Sequence, residues 1–174
     1  MNESLEGHSH GYRDGLFSAI SAGFFFVVVG AIFITTPNIF DRIIEFFRNF
    51  DIVPVPNFQN IFLPAPLYPF THRVVYLAVE QFSYIWGLFQ ILVLGLRFIA
   101  RSPWRKKAET ASNLVFWFGA GFLIRTFLLE TIRLPHITGM TRWFAFWTVI
   151  IMLIGATLII RAIVLAAVST RRAT

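Results

Sequence analysis

The sequence predicts an all-α membrane protein, a four-transmembrane-helix bundle with one interfacial amphipathic helix between the first and second spans. Three observations predict this class. Hydrophobic residues make up 56% of the 174-residue chain and charged residues 14%, whereas soluble domains carry about 45–50% and about 25%. Four long apolar stretches fill most of the chain, and basic residues cluster beside their ends. The whole chain, residues 1–174, is therefore predicted to be a single integral membrane domain.

Each apolar stretch is long enough to cross a bilayer. The stretches cover residues 15–36, 74–99, 114–134 and 143–168. A helix rises about 1.5 Å per residue, so about 20 apolar residues cross the roughly 30 Å hydrocarbon core. The first stretch is interpreted as a membrane helix and not as a cleaved signal peptide. The segment before it is acidic, and the apolar run is longer than the roughly 7–15 residues of a signal-peptide core.

The segment after the first span is predicted to be an amphipathic helix over residues 37–50. Thr36 can cap this helix, and Pro37 suits its first position, where a missing N–H is tolerated. Apolar residues then recur at helical spacing, at Ile39, Phe40, Ile43, Ile44, Phe47 and Phe50. This pattern is typical of a helix that lies in the membrane interface. Packing on the mouth of the bundle is the alternative.

Residues 51–72 are predicted to form an outer loop without a regular helix. Prolines stand at Pro54, Pro56, Pro64, Pro66 and Pro69, and this density favours extended or polyproline-like backbone. The loop is also rich in aromatic and aliphatic residues, which a solvated linker would not carry. We expect it to rest on lipid headgroups, on the bundle, or on a partner protein.

The net charge of +6 does not indicate nucleic-acid binding, because the basic residues lie beside span ends, where anionic headgroups and the positive-inside bias explain them. The loop 101–107 adds four basic residues beside Arg97, so it is predicted to be cytoplasmic. Four spans then place both termini in the cytoplasm, in a multi-pass protein of the cell membrane. The predicted partners are the lipid bilayer and other membrane subunits or further copies of the chain, without nucleic acid.

Span 2 carries a stripe of polar residues. They step by three, four or seven positions at Tyr76, Glu80, Ser83, Gln90 and Arg97, with Gly87 on the same line. At about 100° per residue such steps keep them on one face of a helix. Polar residues are expensive in lipid, so this stripe is expected to face the bundle interior, an oligomer interface or water. Both a solute path and a hydrogen-bonded packing seam fit it.

Arg125 in span 3 is predicted to form a buried ion pair with Glu80. Counted inward from the predicted outer span ends, Glu80 lies about 9 Å deep and Arg125 about 13 Å deep. An arginine near the centre of a span costs roughly 2.5–3.5 kcal/mol, so it needs a partner. Glu130 and Arg133 are secondary candidates. On an α-helix Glu130 points about 140° away from Arg125, which favours a position at the outer surface together with Arg133.

Small residues recur every seven positions along span 4, at Thr141, Thr148, Gly155, Ala162 and Ser169. A shorter series in span 1 comprises Ala19, Gly23 and Gly30. Lines of small residues permit close approach of membrane helices, so both series predict helix packing and not chemistry.

The histidines give only weak site candidates. His8 and His10 lie two residues apart near the amino terminus, and two ligands without a fixed frame make a weak metal site. His72 and His136 lie at the outer ends of spans 2 and 3, where a bis-histidine haem is conceivable, although interfacial histidines are common. The chain has no cysteine and no complete catalytic motif. No metal, cofactor or catalytic residue is predicted.

Three classes of function remain open. The first, which the sequence favours, is a non-catalytic accessory, assembly or structural component of a membrane complex. The second is a small oligomeric transporter or channel that uses the span 2 stripe together with Arg125. The third is a membrane enzyme or redox carrier that uses His72, Glu130 and His136.

Overall fold

A computed structural model describes residues 3–58, 60–130 and 136–170, with side chains over 15–58, 60–130 and 139–166. The chain is mostly helical, at 82%. Four helices in this part are long and apolar enough to cross a membrane, which confirms the corresponding prediction. Their candidate spans are Gly15–Thr35, Pro69–Ile99, Trp104–Leu129 and Gly139–Ala166.

The elements follow each other in a simple order. They are α1 (Glu3–Thr35), α2 (Ile39–Arg48), β1 (Phe50–Pro54), β2 (Phe62–Pro66), a 3₁₀ helix (Pro69–His72), α3 (Arg73–Ile99), α4 (Trp104–Leu123), a π-helix (Ile124–Leu129) and α5 (His136–Thr170). α3 lies within one residue of the predicted bounds. α4 begins at Trp104 and not at 114, because its first turns are polar and hydropathy alone leaves them in a loop.

α2 is shorter than predicted. Its apolar residues form two rows, one packed against the protein and one exposed. It begins after Asn38, whose φ of 54° is left-handed, a conformation that asparagine adopts more readily than most residues. Pro37 is therefore not its first residue. Ile39 and Ile43 belong to a core cluster with residues of α1 and α3. A second row remains exposed and comprises Phe40, Ile44 and Phe47.

The proline-rich segment, predicted as a loop over residues 51–72, holds two extended strands that pair into an antiparallel hairpin, and its last residues, Pro69–His72, form a 3₁₀ helix; neither the pairing nor this helix was predicted. The register pairs Phe50 with Pro66, Asp51 with Ala65, Ile52 with Pro64, Val53 with Leu63 and Pro54 with Phe62. The Val55 N–H donates to the Ile61 carbonyl and the Leu67 N–H to the Asn49 carbonyl, both at 2.9 Å. Odd-numbered residues therefore form the hydrogen-bonded pairs. The strand prolines have even numbers, so each lies where an N–H would point away from the partner strand.

α3 and α4 interlock through two glycines. A Cβ atom added to Gly87 of α3 would lie 2.9 Å from ring atoms of Phe118 on α4. A Cβ atom added to Gly121 of α4 would lie 3.0 Å from the ring of Tyr84 on α3. Each helix thus receives an aromatic ring of the other on a glycine, which brings the two backbones close together.

The small-residue line of α5 takes no part in this packing. α5 approaches α4 at Gly119, where an added Cβ would lie 2.8 Å from Leu153. At Gly155 an added Cβ would meet none of the described atoms within 4 Å. Thr148 and Ala162, one heptad to either side, are exposed. The predicted seam therefore faces away from the other described helices.

Candidate functional site

The polar contact between α3 and the π-helix joins Glu80 and Arg125. Arg125 Nη1 lies 3.5 Å from Glu80 Oε1. The Glu80 side chain is 7% exposed, whereas that of Arg125 is 66% exposed. Charge-assisted hydrogen bonds are usually about 2.7–2.9 Å long, so this contact is loose. The structure thus brings together the two residues that the sequence predicts as a pair, but only Glu80 is buried within the chain.

A π-helical turn carries Arg125. Residues Ile124–Leu129 form the turn, and the Glu130 N–H donates to the Arg125 carbonyl. An i to i+5 bond replaces the α-helical one, so Glu130 lies one turn beyond Arg125. The 140° separation predicted for an α-helix is therefore wrong here. Glu130 is exposed, and Arg133 lies outside the described residues.

Arg142 of α5 supports the same turn. In an α-helix the Thr126 carbonyl would accept the Glu130 N–H, which here donates to Arg125 instead. Arg142 Nη1 donates to the Thr126 carbonyl at 3.2 Å. Neither the π-turn nor the role of Arg142 was predicted from the sequence. A π-turn leaves no hydropathy signal, since it changes the hydrogen-bond register and not the composition.

The span 2 stripe is buried along much of its length. Tyr76, Glu80, Ser83 and Gln90 are each less than one-tenth exposed. The Ser83 hydroxyl donates to the Val79 carbonyl of its own helix at 2.7 Å. Gly87, at the centre of the stripe, lies under the Phe118 ring. This part of the stripe is thus a surface on which α4 packs.

The two ends of the stripe hold buried polar atoms without a partner in the described part of the chain. At one end these are the Tyr76 hydroxyl and, on α5, Trp143 Nε1; the two rings lie 6.4 Å apart between centroids. At the other end they are Nε and Nη1 of Arg97. Each such atom is unfavourable in a dry interior.

Asn49 joins the hairpin to α3, a role that the sequence reasoning missed. Its Oδ1 accepts the Tyr68 N–H at 3.0 Å and lies 3.1 Å from His72 Nε2. His72 is buried. Its ring is nearly perpendicular to the Phe46 ring, with the two ring centroids 5.1 Å apart. In the sequence, only the position of Asn49 between the amphipathic helix α2 and the strand β1 could have indicated this contact. His72 is thus engaged with protein groups, and the side chain of His136, its weak haem counterpart, is not among the described ones.

No group of three or more histidine, aspartate or glutamate side chains that could hold a metal occurs within the described residues. The side chains of His8 and His10 fall outside that range. Compared with known protein families, curated protein sequences and solved structures, the chain matches none of them. Function is therefore argued from the geometry of the chain itself.

Proposed function

We propose that this protein is a non-catalytic assembly or structural subunit of a membrane complex. In this proposal the four candidate spans form a bundle in the cell membrane, both termini are cytoplasmic, and α2 lies in the outer interface. The observation that carries the proposal is an apolar surface at the hairpin, which we call the hairpin surface. It comprises Ile52, Phe58, Ile61, Phe62 and Leu63, which are 71, 58, 47, 57 and 44% exposed.

The hairpin surface lies outside the candidate spans, between Thr35 and Pro69, so its exposure is not explained by crossing the membrane. In the strand register Ile52 and Phe62 lie on one face of the hairpin, and Ile61 and Leu63 lie on the other. Exposed apolar residues grouped on one small element mark protein or membrane contacts. Surfaces that bind anionic membranes usually carry lysine or arginine, whereas Asp51 is the only charged residue between 50 and 67. A protein partner therefore fits this surface better than a lipid headgroup layer does.

The hairpin is held before any partner arrives. Its strands pair over five residue pairs, and Asn49 ties its base to Tyr68 and His72. A surface that is already ordered loses less conformational entropy on binding. This favours a docking role over that of a loose linker.

The outward-facing line on α5 supports the same proposal. Lipid chains pack well against large apolar side chains, whereas small residues in a heptad line permit close contact between helices. Gly155 has open space around it in the described chain. In the proposal this line receives a helix of another subunit.

Purification of tagged protein from its own membranes in mild detergent tests the proposal. Phe58→Ser combined with Phe62→Ser should remove the co-purifying polypeptides, because both rings are more than half exposed and belong to the hairpin surface. The matched control is Phe40→Ser with Phe47→Ser on α2, whose rings are 63 and 66% exposed and face lipid in the proposal. That control should keep the complex.

Gly155→Leu gives an independent test of the α5 line. No described atom lies within 4 Å of a Cβ atom added at Gly155, so the monomer should keep its circular dichroism and elution volume while the partner is lost. If the hairpin double variant and Gly155→Leu both retain every partner, or if no other polypeptide ever co-purifies, the proposal is wrong.

A second function, a small oligomeric transporter or channel, is favoured by one observation. Arg125 lies within a candidate span, and its exposed side chain has one loose contact, to buried Glu80. An exposed arginine at that level needs water or an acceptor from another subunit. Glu80→Gln should then abolish solute or ion flux in proteoliposomes without affecting folding. Unchanged flux in this variant would contradict the transport function.

A further inference from the structure

One face of the hairpin carries four exposed apolar residues, two of them prolines. Ile52 lies opposite Pro64 and Pro54 lies opposite Phe62, in pairs that do not exchange ladder hydrogen bonds. Side chains at alternate strand positions share one face of a sheet, so these four lie together; we call them the proline face. All four are exposed, whereas Val53, on the opposite face, belongs to the buried core cluster. The proline face is therefore turned away from that cluster.

The backbone edges beside the proline face accept hydrogen bonds but hardly donate them. In this register the N–H and C=O positions of its residues point outward, away from the neighbouring strand. Pro54 and Pro64 have no N–H. The Ile52 N–H donates to the side chain of Asp51, with 2.7 Å between Ile52 N and Asp51 Oδ1. Three of the four outward N–H positions are therefore closed to a partner, while the carbonyls of all four residues point outward.

These edges disfavour a partner that adds a β-strand to the hairpin. A strand added to an edge exchanges N–H and C=O groups with alternate residues of that edge. The carbonyls of the added strand would meet proline rings at Pro54 or Pro64 and an occupied N–H at Ile52. Buried carbonyls without a donor are unfavourable, and prolines on edge strands are a common protection against such pairing. A partner is therefore expected to approach the face of the hairpin and not its edges.

We propose, on the basis of the subunit role above, that the partner subunit covers the proline face with aromatic side chains that carry a hydrogen-bond donor, tryptophan or tyrosine. A covering partner removes water from the outward carbonyls, so it must supply donors in place of that water. Leucine-rich surfaces and acyl chains have no such donors. The indole N–H donates and does not accept, which matches edges that accept and hardly donate.

The side chains of the proline face favour the same partner. The rings of Pro54, Pro64 and Phe62 and the aliphatic Ile52 offer apolar area without a polar side chain among them. An aromatic ring covers such area and still carries a polar group at its rim. Extended proline-rich segments are commonly bound in grooves lined by aromatic side chains. One residue type on the partner thus meets both the apolar face and its carbonyl rim.

The experiment is a nuclear magnetic resonance titration of the full isotope-labelled chain in detergent micelles with small probes. N-acetyltryptophanamide should shift the amide resonances of Ile52 and Phe62. N-acetyl-1-methyltryptophanamide keeps the ring but lacks the indole N–H, so it should bind about twofold to tenfold more weakly. N-acetylleucinamide lacks both the ring and its N–H and should bind no more tightly than the methylated probe.

Pro64→Ala removes a ring from the proline face and adds an outward N–H, while the hydrogen-bonded pair of Val53 and Leu63 is unchanged. N-acetyltryptophanamide should bind this variant about threefold more weakly. Leu63→Ala is the matched control, because Leu63 is exposed on the opposite face of the same strand. It should change binding less than about twofold. Protection of the Val53 amide from hydrogen exchange checks that both variants keep the hairpin.

Equal binding of the two tryptophan derivatives to the wild-type chain overturns the proposal, and this comparison decides even if Pro64→Ala does not fold. Equal binding of N-acetyltryptophanamide to wild type and Pro64→Ala also overturns it. An extended valine-rich peptide that binds the hairpin, and binds Pro64→Ala more tightly, would show strand addition instead. Co-purification of a partner with a chain that fails the titration would keep the subunit role and contradict the aromatic contact alone.

Discussion

Replacing Gly87 with alanine perturbs the interlock of α3 and α4 at one atom. The added Cβ would lie 2.9 Å from Cδ2 and Cε2 of Phe118 and 3.4 Å from its Cγ. Carbon atoms in ordinary contact are about 3.5–4.0 Å apart, so the ring must retreat by roughly 0.6–1 Å. An aromatic ring moves as one body, so the strain is passed to its neighbours. Tyr84 is one of these, at 6.1 Å between centroids.

The size of the effect follows from two opposing terms. Overpacking of this kind costs about 1–3 kcal/mol. Replacing a helical glycine with alanine gains about 0.5–1 kcal/mol. Gly155→Ala should show only the gain in helix stability and no overpacking cost, because no described atom lies within 4 Å of the new Cβ. The free energy of unfolding of Gly87→Ala should therefore lie about 1–3 kcal/mol below that of Gly155→Ala.

Equilibrium unfolding in mixed micelles, followed by circular dichroism, measures this difference. Phe118→Ala supplies the second side of a double-mutant cycle, because without the ring the Gly87→Ala substitution has nothing to displace. The two substitutions should show a coupling energy of about 0.5–3 kcal/mol. If Gly87→Ala is as stable as Gly155→Ala, or if the two changes at 87 and 118 are additive, the interlock does not exist as described.

Three further predictions concern the polar contact and the hairpin. Arg125→Leu should lower stability by about 1–2 kcal/mol, because buried Glu80 loses its contact with Arg125, which is loose and partly screened by the exposure of the arginine. Adding Glu80→Gln should restore most of this in the same unfolding assay, and strict additivity would rule out the pair. Val53→Pro should disrupt the hairpin in hydrogen exchange because it removes a ladder N–H, whereas Ile52→Pro should leave the ladder protected; equal protection would refute the register. Asn49→Ala should speed exchange across the hairpin about fivefold to twentyfold, and unchanged exchange would show that Asn49 does not hold its base.

The presence of four helices long and apolar enough to cross a membrane could be predicted because length and hydropathy decide it. α3 matches its predicted span to within one residue, since Arg73 precedes the largely apolar stretch and Arg101 follows shortly after its end. The similar predicted depths of Glu80 and Arg125, about 9 and about 13 Å, likewise follow from a fixed rise per residue. The depth of a residue along one helix can be calculated without knowing which helices lie beside it.

Contacts between elements could not be read in the same way. The prolines of the hairpin are compatible with pairing because they stand at positions whose N–H would point away from the partner strand. Those positions are defined only when the partner strand and its register are known. The π-turn at Arg125 changes hydrogen bonding without changing composition, so an angle computed for an α-helix was wrong for Glu130. The rings that cover Gly87 and Gly121 belong to a neighbouring helix. No pattern within one helix identifies them.

In the proposal, the chain serves as a subunit among different polypeptides. Native mass spectrometry of the tagged protein, released gently from its own membrane, would show such a complex directly. We expect a defined complex with at least one other polypeptide, and we expect it to be lost when Phe58 and Phe62 are replaced by serine. A defined homo-oligomer without any other chain would contradict it and would move attention to transport through Glu80 and Arg125.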